Sequence, residues 1–158
     1  MTLANKRPTL HLIVGLPGSG KTTEAKRLEK MTQAVRLSPD EWMKALGFDF
    51  YDEAARSRVE GLQWQTTLQL LRSRCDVILE NGFWSREERD GLRKAAMDAD
   101  AEIEVHFMDV PLEELKRRLA LRNQDADTNT PVVDPALLDE WALLFQPPEP
   151  DELTPRKS

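Results

Sequence analysis

Gly15-Leu16-Pro17-Gly18-Ser19-Gly20-Lys21-Thr22 reads G-x-x-x-x-G-K-T. This spacing suits the capture of a polyphosphate by main-chain amides. The glycines let the backbone bend until successive N–H groups point at one anion. A helix that starts at Lys21 adds partial positive charge at the same spot. The Lys21 ammonium can reach β- and γ-phosphates, and the Thr22 hydroxyl can coordinate Mg²⁺. Gly15 to Thr22, with Thr23 beside them, are the expected nucleotide contacts. The flanks agree: Leu10 to Val14 reads as a buried strand and Thr22 to Thr32 as a helix.

Charged residues further along could complete a phosphoryl transfer. Asp40 falls in the first turn of a helix opened by Ser38-Pro39-Asp40-Glu41. A carboxylate there can accept the proton of an attacking hydroxyl, or simply complement the helix dipole. Glu41 reads as the reciprocal capping residue. Glu80 and Asn81 end the apolar run Val77-Ile78-Leu79. Glu80 either holds the Mg²⁺ shell through water or caps a loop, and Asn81 is placed among the substrate contacts. Phe83 and Trp84 wall a pocket or pack. Arg86 and Arg89 share one side of a helix whose N-terminus faces the site, so both are candidates to contact an anionic substrate, whereas Arg93 reads as solvated. Arg118 and Arg122, four apart, either close over a triphosphate or follow the cation preference of a helix C-terminus. His11 and His106 read as structural strand residues, with no metal-ligand spacing between them. Trp42, Trp64, Trp84 and Trp141 are too scattered for a base-stacking platform.

These groups need a scaffold, and the chain supplies alternating strands and helices. After the first strand and helix comes a short strand, Val35 to Leu37, and a helix closed by Gly47. A long helix over about 52–73 has Val59, Leu62, Thr66 and Leu70 in register. Val77 to Leu79 reads as a strand covered on both faces. Ser85-Arg86-Glu87-Glu88 opens another helix, which buries Leu92, Ala95, Ala96 and Ala99. A strand over Ile103–Val110 and a helix over about 111–123 follow. Asn123 to Val133 reads as a mobile loop, and Asp134-Pro135 starts a last helix. The alternation implies a three-layer α/β/α fold with a parallel sheet of four or five strands, with ligands beyond the strands' carboxyl ends. Residues 1–150 form one domain and 151–158 a flexible tail.

The 158 residues carry a net charge of −6. That disfavours a large nucleic-acid surface but leaves room for one nucleotide or a strand end. Cys75 is the single cysteine, so it reads as a small semi-buried hydrophobe in a reducing compartment, the cytoplasm. The N-terminal residues lack the apolar stretch of a signal peptide. No apolar run approaches the roughly 18 residues that cross a bilayer. Oligomeric state, monomer or dimer, is left open.

With these residues in place, the chain resembles P-loop kinases of the AAA-type ATP-binding group. It is similar to zeta toxins, chloramphenicol phosphotransferase and the kinase domain of phage polynucleotide kinase. The likeness covers about residues 9–150. It rests on the Gly15–Thr22 loop, Ser38 to Glu41, Val77 to Gly82, and Arg118-Leu119-Ala120-Leu121-Arg122, which looks like the family's lid helix. The resemblance implies ATP and Mg²⁺ as cofactors and transfer to a hydroxyl assisted by Asp40. It also implies an adenine-flanking loop at Phe145-Gln146-Pro147-Pro148. Departures are Glu80, where relatives often carry Asp, and the acidic Asp125 and Asp127 after Arg122. The acceptor reads as a small molecule or nucleotide. Alternatives are a nucleotide-binding switch or ATPase without transferase activity, and a polynucleotide 5′-hydroxyl kinase. A GTPase is disfavoured, because N-K-x-D and a suitably placed D-x-x-G are missing.

Overall fold

The computed structural model describes residues 6–125 and 131–153. Its strands are β1 (Thr9–Val14), β2 (Val35–Leu37), β3 (Val77–Gly82) and β4 (Glu102–Phe107), and its helices are α1 (Lys21–Thr32), α2 (Pro39–Ala45), α3 (Glu53–Arg72), α4 (Arg86–Asp98), α5 (Leu112–Arg122) and α6 (Leu137–Leu144). Among the described residues the sheet has four parallel strands in the order β2-β3-β1-β4, the lower of the two expected numbers. The chain steps outward from β1 to β2, returns to β3, then crosses β1 to reach β4. Right-handed crossovers therefore put α1 on one face and α3 and α4 on the other. The two cores agree with this. Ile13 and Ile78 pack with Ala25 and Leu28 of α1. Leu10, Leu12, Val77 and Leu79 pack with Leu71 of α3 and Ala96 of α4. Among the described residues no helix is long and apolar enough to cross a membrane.

Local capping follows the sequence. The Ser38 hydroxyl accepts from the Glu41 amide at 3.2 Å and the Ser85 hydroxyl from the Glu88 amide at 3.0 Å. Glu41 does not return the bond to its cap. Both its oxygens take Arg36 Nη2 at 2.8 Å, because a guanidinium on β2 is the stronger partner.

Two expectations are corrected. The buried stripe of α3 is Ala55, Val59, Gln63, Thr67 and Leu71, whereas Leu62 is 56% exposed. The helix meets the sheet one position away from its most apolar letters, and two polar side chains go inside. Within the segment expected as a tail, residues 151–153 are described, and the remainder lies outside the described residues. Glu152 is buried, accepting from Arg89 Nε at 2.6 Å and from the Glu149 amide at 2.8 Å.

A pair of histidines forms a third departure. Parallel pairing sets His11 beside Glu104 and Ile13 beside His106. Both imidazoles thus share one face, with His11 Nδ1 3.0 Å from His106 Nε2 and 3.5 Å from Glu104 Oε2. Their donor atoms and that of Glu104 lie within 4.8 Å of one another, a gathering that no sequence spacing revealed. Burial lowers both histidines below the ordinary 6.5, although Glu104 and Asp76 pull His11 back up. Around His106 the Glu104 and Glu24 carboxylates raise, while His11 and Arg27 lower. A depressed folded-state value means the unfolded chain binds more protons, so the stabilisation is complete above the ordinary value and is lost as pH falls below it. Melting temperature should fall between about pH 7.5 and about pH 5.5. His106→Gln should flatten that fall, and an equally steep profile in the variant would remove the pair from the account.

Candidate active site

The loop between β1 and α1 is fixed at both ends. The Gly15 amide donates to the Gly82 carbonyl at 3.2 Å, tying the loop to the end of β3. Gly82 has φ 93°, and a Cβ there would stand 3.1 Å from the Gly15 carbonyl oxygen, so neither conformation nor space admits a side chain. Gly18 has φ 85°, and its missing Cβ would lie 3.2 Å from Leu119 Cγ on α5. Leu16 points away from the loop's mouth into the core with Leu115, Leu119 and Leu138. Its carbonyl accepts from Lys21 Nζ and the Ser19 amide, each at 3.2 Å. Ser19 is buried, and its hydroxyl has no hydrogen-bond partner among the described residues.

Lys21 is the most perturbed cation here. Burial lowers its ammonium to about 8, partly opposed by the Asp40 and Glu80 carboxylates and reinforced by Arg122. A buried ammonium beside converging amides and an orphan hydroxyl is a receptor for an anion.

Behind the loop, the Thr22 hydroxyl donates to Glu80 Oε1 at 3.3 Å, and Arg36 Nη1 donates to Oε2 at 3.3 Å. Burial pushes the Glu80 carboxyl up, against the pull of Arg36 and Ser38. Two hard oxygen donors side by side are the set that suits Mg²⁺. Asp40, in the first turn of α2, holds Arg56 Nη2 on Oδ1 at 2.7 Å, and the same guanidinium nitrogen donates to the Phe50 carbonyl at 3.1 Å.

These groups face one cavity of about 770 Å³ at the carboxyl edge of the sheet, within the range of small-molecule sites. Pro17, Gly18, Gly20, Lys21, Thr22 and Thr23 form its floor. Asp40, Glu80, Asn81, Arg118 and Arg122 also line it, whereas Gly15, Leu16 and Ser19 act from behind. Arg118 donates through Nε to Glu114 at 3.0 Å and through Nη1 to the Gly18 carbonyl at 3.5 Å. Arg122 is half-buried, donates to the Pro131 carbonyl at 3.5 Å, and has no hydrogen-bond partner for Nε among the described residues. Burial lowers its pKa, so an anion would relieve its desolvation. The middle of the expected mobile loop, residues 126–130, lies outside the described residues; at its base, the Asn123 side-chain amide grips the main chain of Val133.

Arg86 and Arg89 stand elsewhere, and the expectation that they touch substrate is corrected. Their side of α4 faces the C-terminal segment. Arg89 is buried against Glu152 and the Phe83 carbonyl, and Arg86 is spread over Asp90, Glu149, Asp151 and Glu152. Neither lines the cavity. The Phe145 to Pro148 segment does not line it either. Phe145 packs on Phe107 with ring centroids 5.9 Å apart, and the Gln146 amide donates to the Trp84 carbonyl at 2.8 Å. Phe83 lies in the core, while Trp84 walls the cavity with Trp141, 5.8 Å between ring centroids. Sequence reasoning missed Arg36 and Arg56. Their carboxylate partners Glu80 and Asp40 lie 44 and 16 residues away, so no local pattern marked them.

Residues 10–148 match the family model described as AAA domain. Adenylate kinase of Prochlorococcus marinus (strain AS9601) is 28% identical over 132 residues, which cover 74% of this chain and 70% of that protein. UMP-CMP kinase 3 of Arabidopsis thaliana is 31% identical over 134 residues, covering 77% of this chain but only 64% of the relative, less than two thirds of its length. A chain in the structure of the Pnkp1/Rnl/Hen1 RNA repair complex superposes with a TM-score of 0.74 at 21% identity, over 91% of this chain and 46% of that one, a likeness of fold. A phosphate loop between β1 and α1 in a three-layer parallel sheet, and a family match across most of the chain, lead to one conclusion: the protein belongs to the AAA-domain family and has the P-loop kinase fold.

Proposed function

We propose that the protein transfers the γ-phosphoryl group of ATP to a hydroxyl of a small molecule or nucleotide. One observation carries the reading: the Lys21 ammonium and the Asp40 carboxylate share a cavity with the glycine loop. The loop amides and Lys21 hold the triphosphate. Arg56 fixes Asp40 through Oδ1, leaving Oδ2 to take the acceptor's hydroxyl proton. The acceptor oxygen bonds to the γ-phosphorus as the bond to the β–γ bridging oxygen breaks. Arg118 and Arg122 close over the moving charge. The Thr22 hydroxyl and the Glu80 carboxylate are the groups that would hold Mg²⁺, which would neutralise charge on the triphosphate. A polynucleotide 5′-kinase would lack the anion contacts expected of Arg86 and Arg89, since both are engaged with carboxylates. A reducing compartment, the cytoplasm, suits a chain with one cysteine.

Incubation with γ-labelled ATP and a panel of hydroxyl acceptors tests the reaction. Label should move to an acceptor. Slow release of labelled phosphate, equally fast with and without acceptors, would point instead to an ATPase or switch.

Lys21 gives the site a pH signature. A bound triphosphate raises the ammonium from about 8, so binding takes up a proton, and affinity should fall as pH rises through that value. Calorimetry in buffers of different ionisation enthalpy reads the uptake. A Lys21→Met variant should bind weakly and take up none, and absence of uptake in the unsubstituted protein would contradict the assignment.

A further inference from the structure

Gln63 is the residue that the active-site account leaves unexplained. It lies in the buried stripe of α3 and is 1% exposed, yet neither Oε1 nor Nε2 has a hydrogen-bond partner among the described residues. Buried amides are nearly always paired, and an orphan carries the full cost of leaving water. Gln63 lines a side chamber of about 140 Å³ together with Glu60, Trp64, Asn81 and Glu88. Asn81 Oδ1 is likewise buried and unpartnered. Glu60 and Asn81 line the large cavity as well, so the chamber adjoins it along α3, while its far end reaches the surface at the exposed Glu88.

The chamber is weighted towards acceptors. Two carboxylates and two amide oxygens stand against the two amide nitrogens and the Trp64 indole N–H as donors. Partial desolvation raises both Glu60 and Glu88, against the pull of Arg56 on the first and Arg89 on the second. The neighbouring guanidiniums are committed: Arg56 to Asp40 and Arg89 to Glu152. Lys21, Arg118 and Arg122 belong to the phosphate end. Among the described residues that line the chamber, none is a cation.

We propose that this chamber is the specificity subsite for the phosphoryl acceptor, and that it takes a donor-rich, non-anionic group, either the hydroxyls of an uncharged polyol or nucleoside or the ammonium of an amino alcohol. Gln63 and Asn81 are its reading residues. The inference rests on the kinase reading above and narrows it, because a nucleoside monophosphate or a sugar acid would bring negative charge against Glu60 and Glu88.

Label transfer from ATP tests this with four groups of acceptors: uncharged polyols, nucleosides, amino alcohols, and anions represented by AMP, UMP and gluconate. The best acceptor should be uncharged or ammonium-bearing. Gln63→Leu, apolar and of similar size, should raise the KM of that acceptor by about tenfold or more and leave the KM for ATP unchanged. Should Gln63→Leu fail to fold, Gln63→Met makes the same comparison. Glu60→Gln separates the two sources, raising KM for an ammonium acceptor and sparing a polyol. Preferred transfer to an anionic acceptor, or an unaltered acceptor KM in the Gln63 variant, would overturn the subsite while the kinase reading stands. Transfer to no acceptor at all would overturn both.

Discussion

Asparagine in place of Asp40 is expected to slow acceptor-dependent phosphoryl transfer by about a hundred- to ten-thousand-fold, with nucleotide affinity little changed. The substitution keeps the size and the first-turn position of the side chain in α2. It also keeps an oxygen that can accept from Arg56, which now donates to Oδ1 at 2.7 Å. It removes the one property the reaction needs from this residue, the ability to take a proton. Loop amides, Lys21 and the two arginines of α5 are untouched, so binding of ATP should survive. Steady-state kinetics with the best acceptor, beside an ATP titration, separates the two effects. Undiminished turnover in Asp40→Asn would strip Asp40 of its role and return it to a residue that complements a helix dipole. A parallel collapse of ATP affinity would show that it supports the nucleotide site instead.

Glu152→Ala is expected to lower the free energy of unfolding by about 3–5 kcal/mol. Arg89 and Glu152 are each 2% exposed and meet at 2.6 Å. The carboxylate also accepts from the Glu149 amide at 2.8 Å and from Arg86 at 3.2 Å. Removal of the carboxylate leaves a guanidinium in the interior with the Phe83 carbonyl, 2.8 Å away, as its remaining partner. That is far worse than never having buried the pair. The cost reaches the active site only indirectly, since Phe83 follows β3 and precedes Trp84 in the cavity wall. Denaturant unfolding should show a lower midpoint for the variant. A midpoint within experimental error of the parent would mean that the C-terminal segment is not a strut.

The sequence carried the parts of the site that depend on neighbours in the chain. The strand, the glycine loop and α1 are contiguous, so their geometry is local and came out as expected. The Ser38-Pro39 start of α2, which delivers Asp40, is equally local. Arg118 and Arg122 were named from their i, i+4 spacing and the resemblance, and α5 does pack on the loop through Leu115 and Leu119.

What failed was long-range. Spacing put Arg86 and Arg89 on one side of α4, but the element that side meets lies more than sixty residues further on, at Glu149 to Glu152. Apolar letters chose Val59, Leu62, Thr66 and Leu70 for the inner face of α3. The sheet and the cavity instead select a stripe with Gln63 and Thr67 in it, an arrangement that periodicity rejects because it counts apolar residues and knows nothing of a polar chamber. His11 and His106 looked unrelated until parallel pairing of β1 with β4 put both on one face. In each case the decisive partner belongs to another element, and its identity depends on register and strand order.

Calorimetric titration of the purified protein with ATP in the presence of magnesium decides whether the glycine loop and Lys21 hold a nucleotide. Saturable binding that is much weakened in Lys21→Met, with proton uptake near the lowered value of that ammonium, is the result expected. A protein that gives no binding signal with ATP or GTP, while its melting curve shows it folded, would contradict the account at its root.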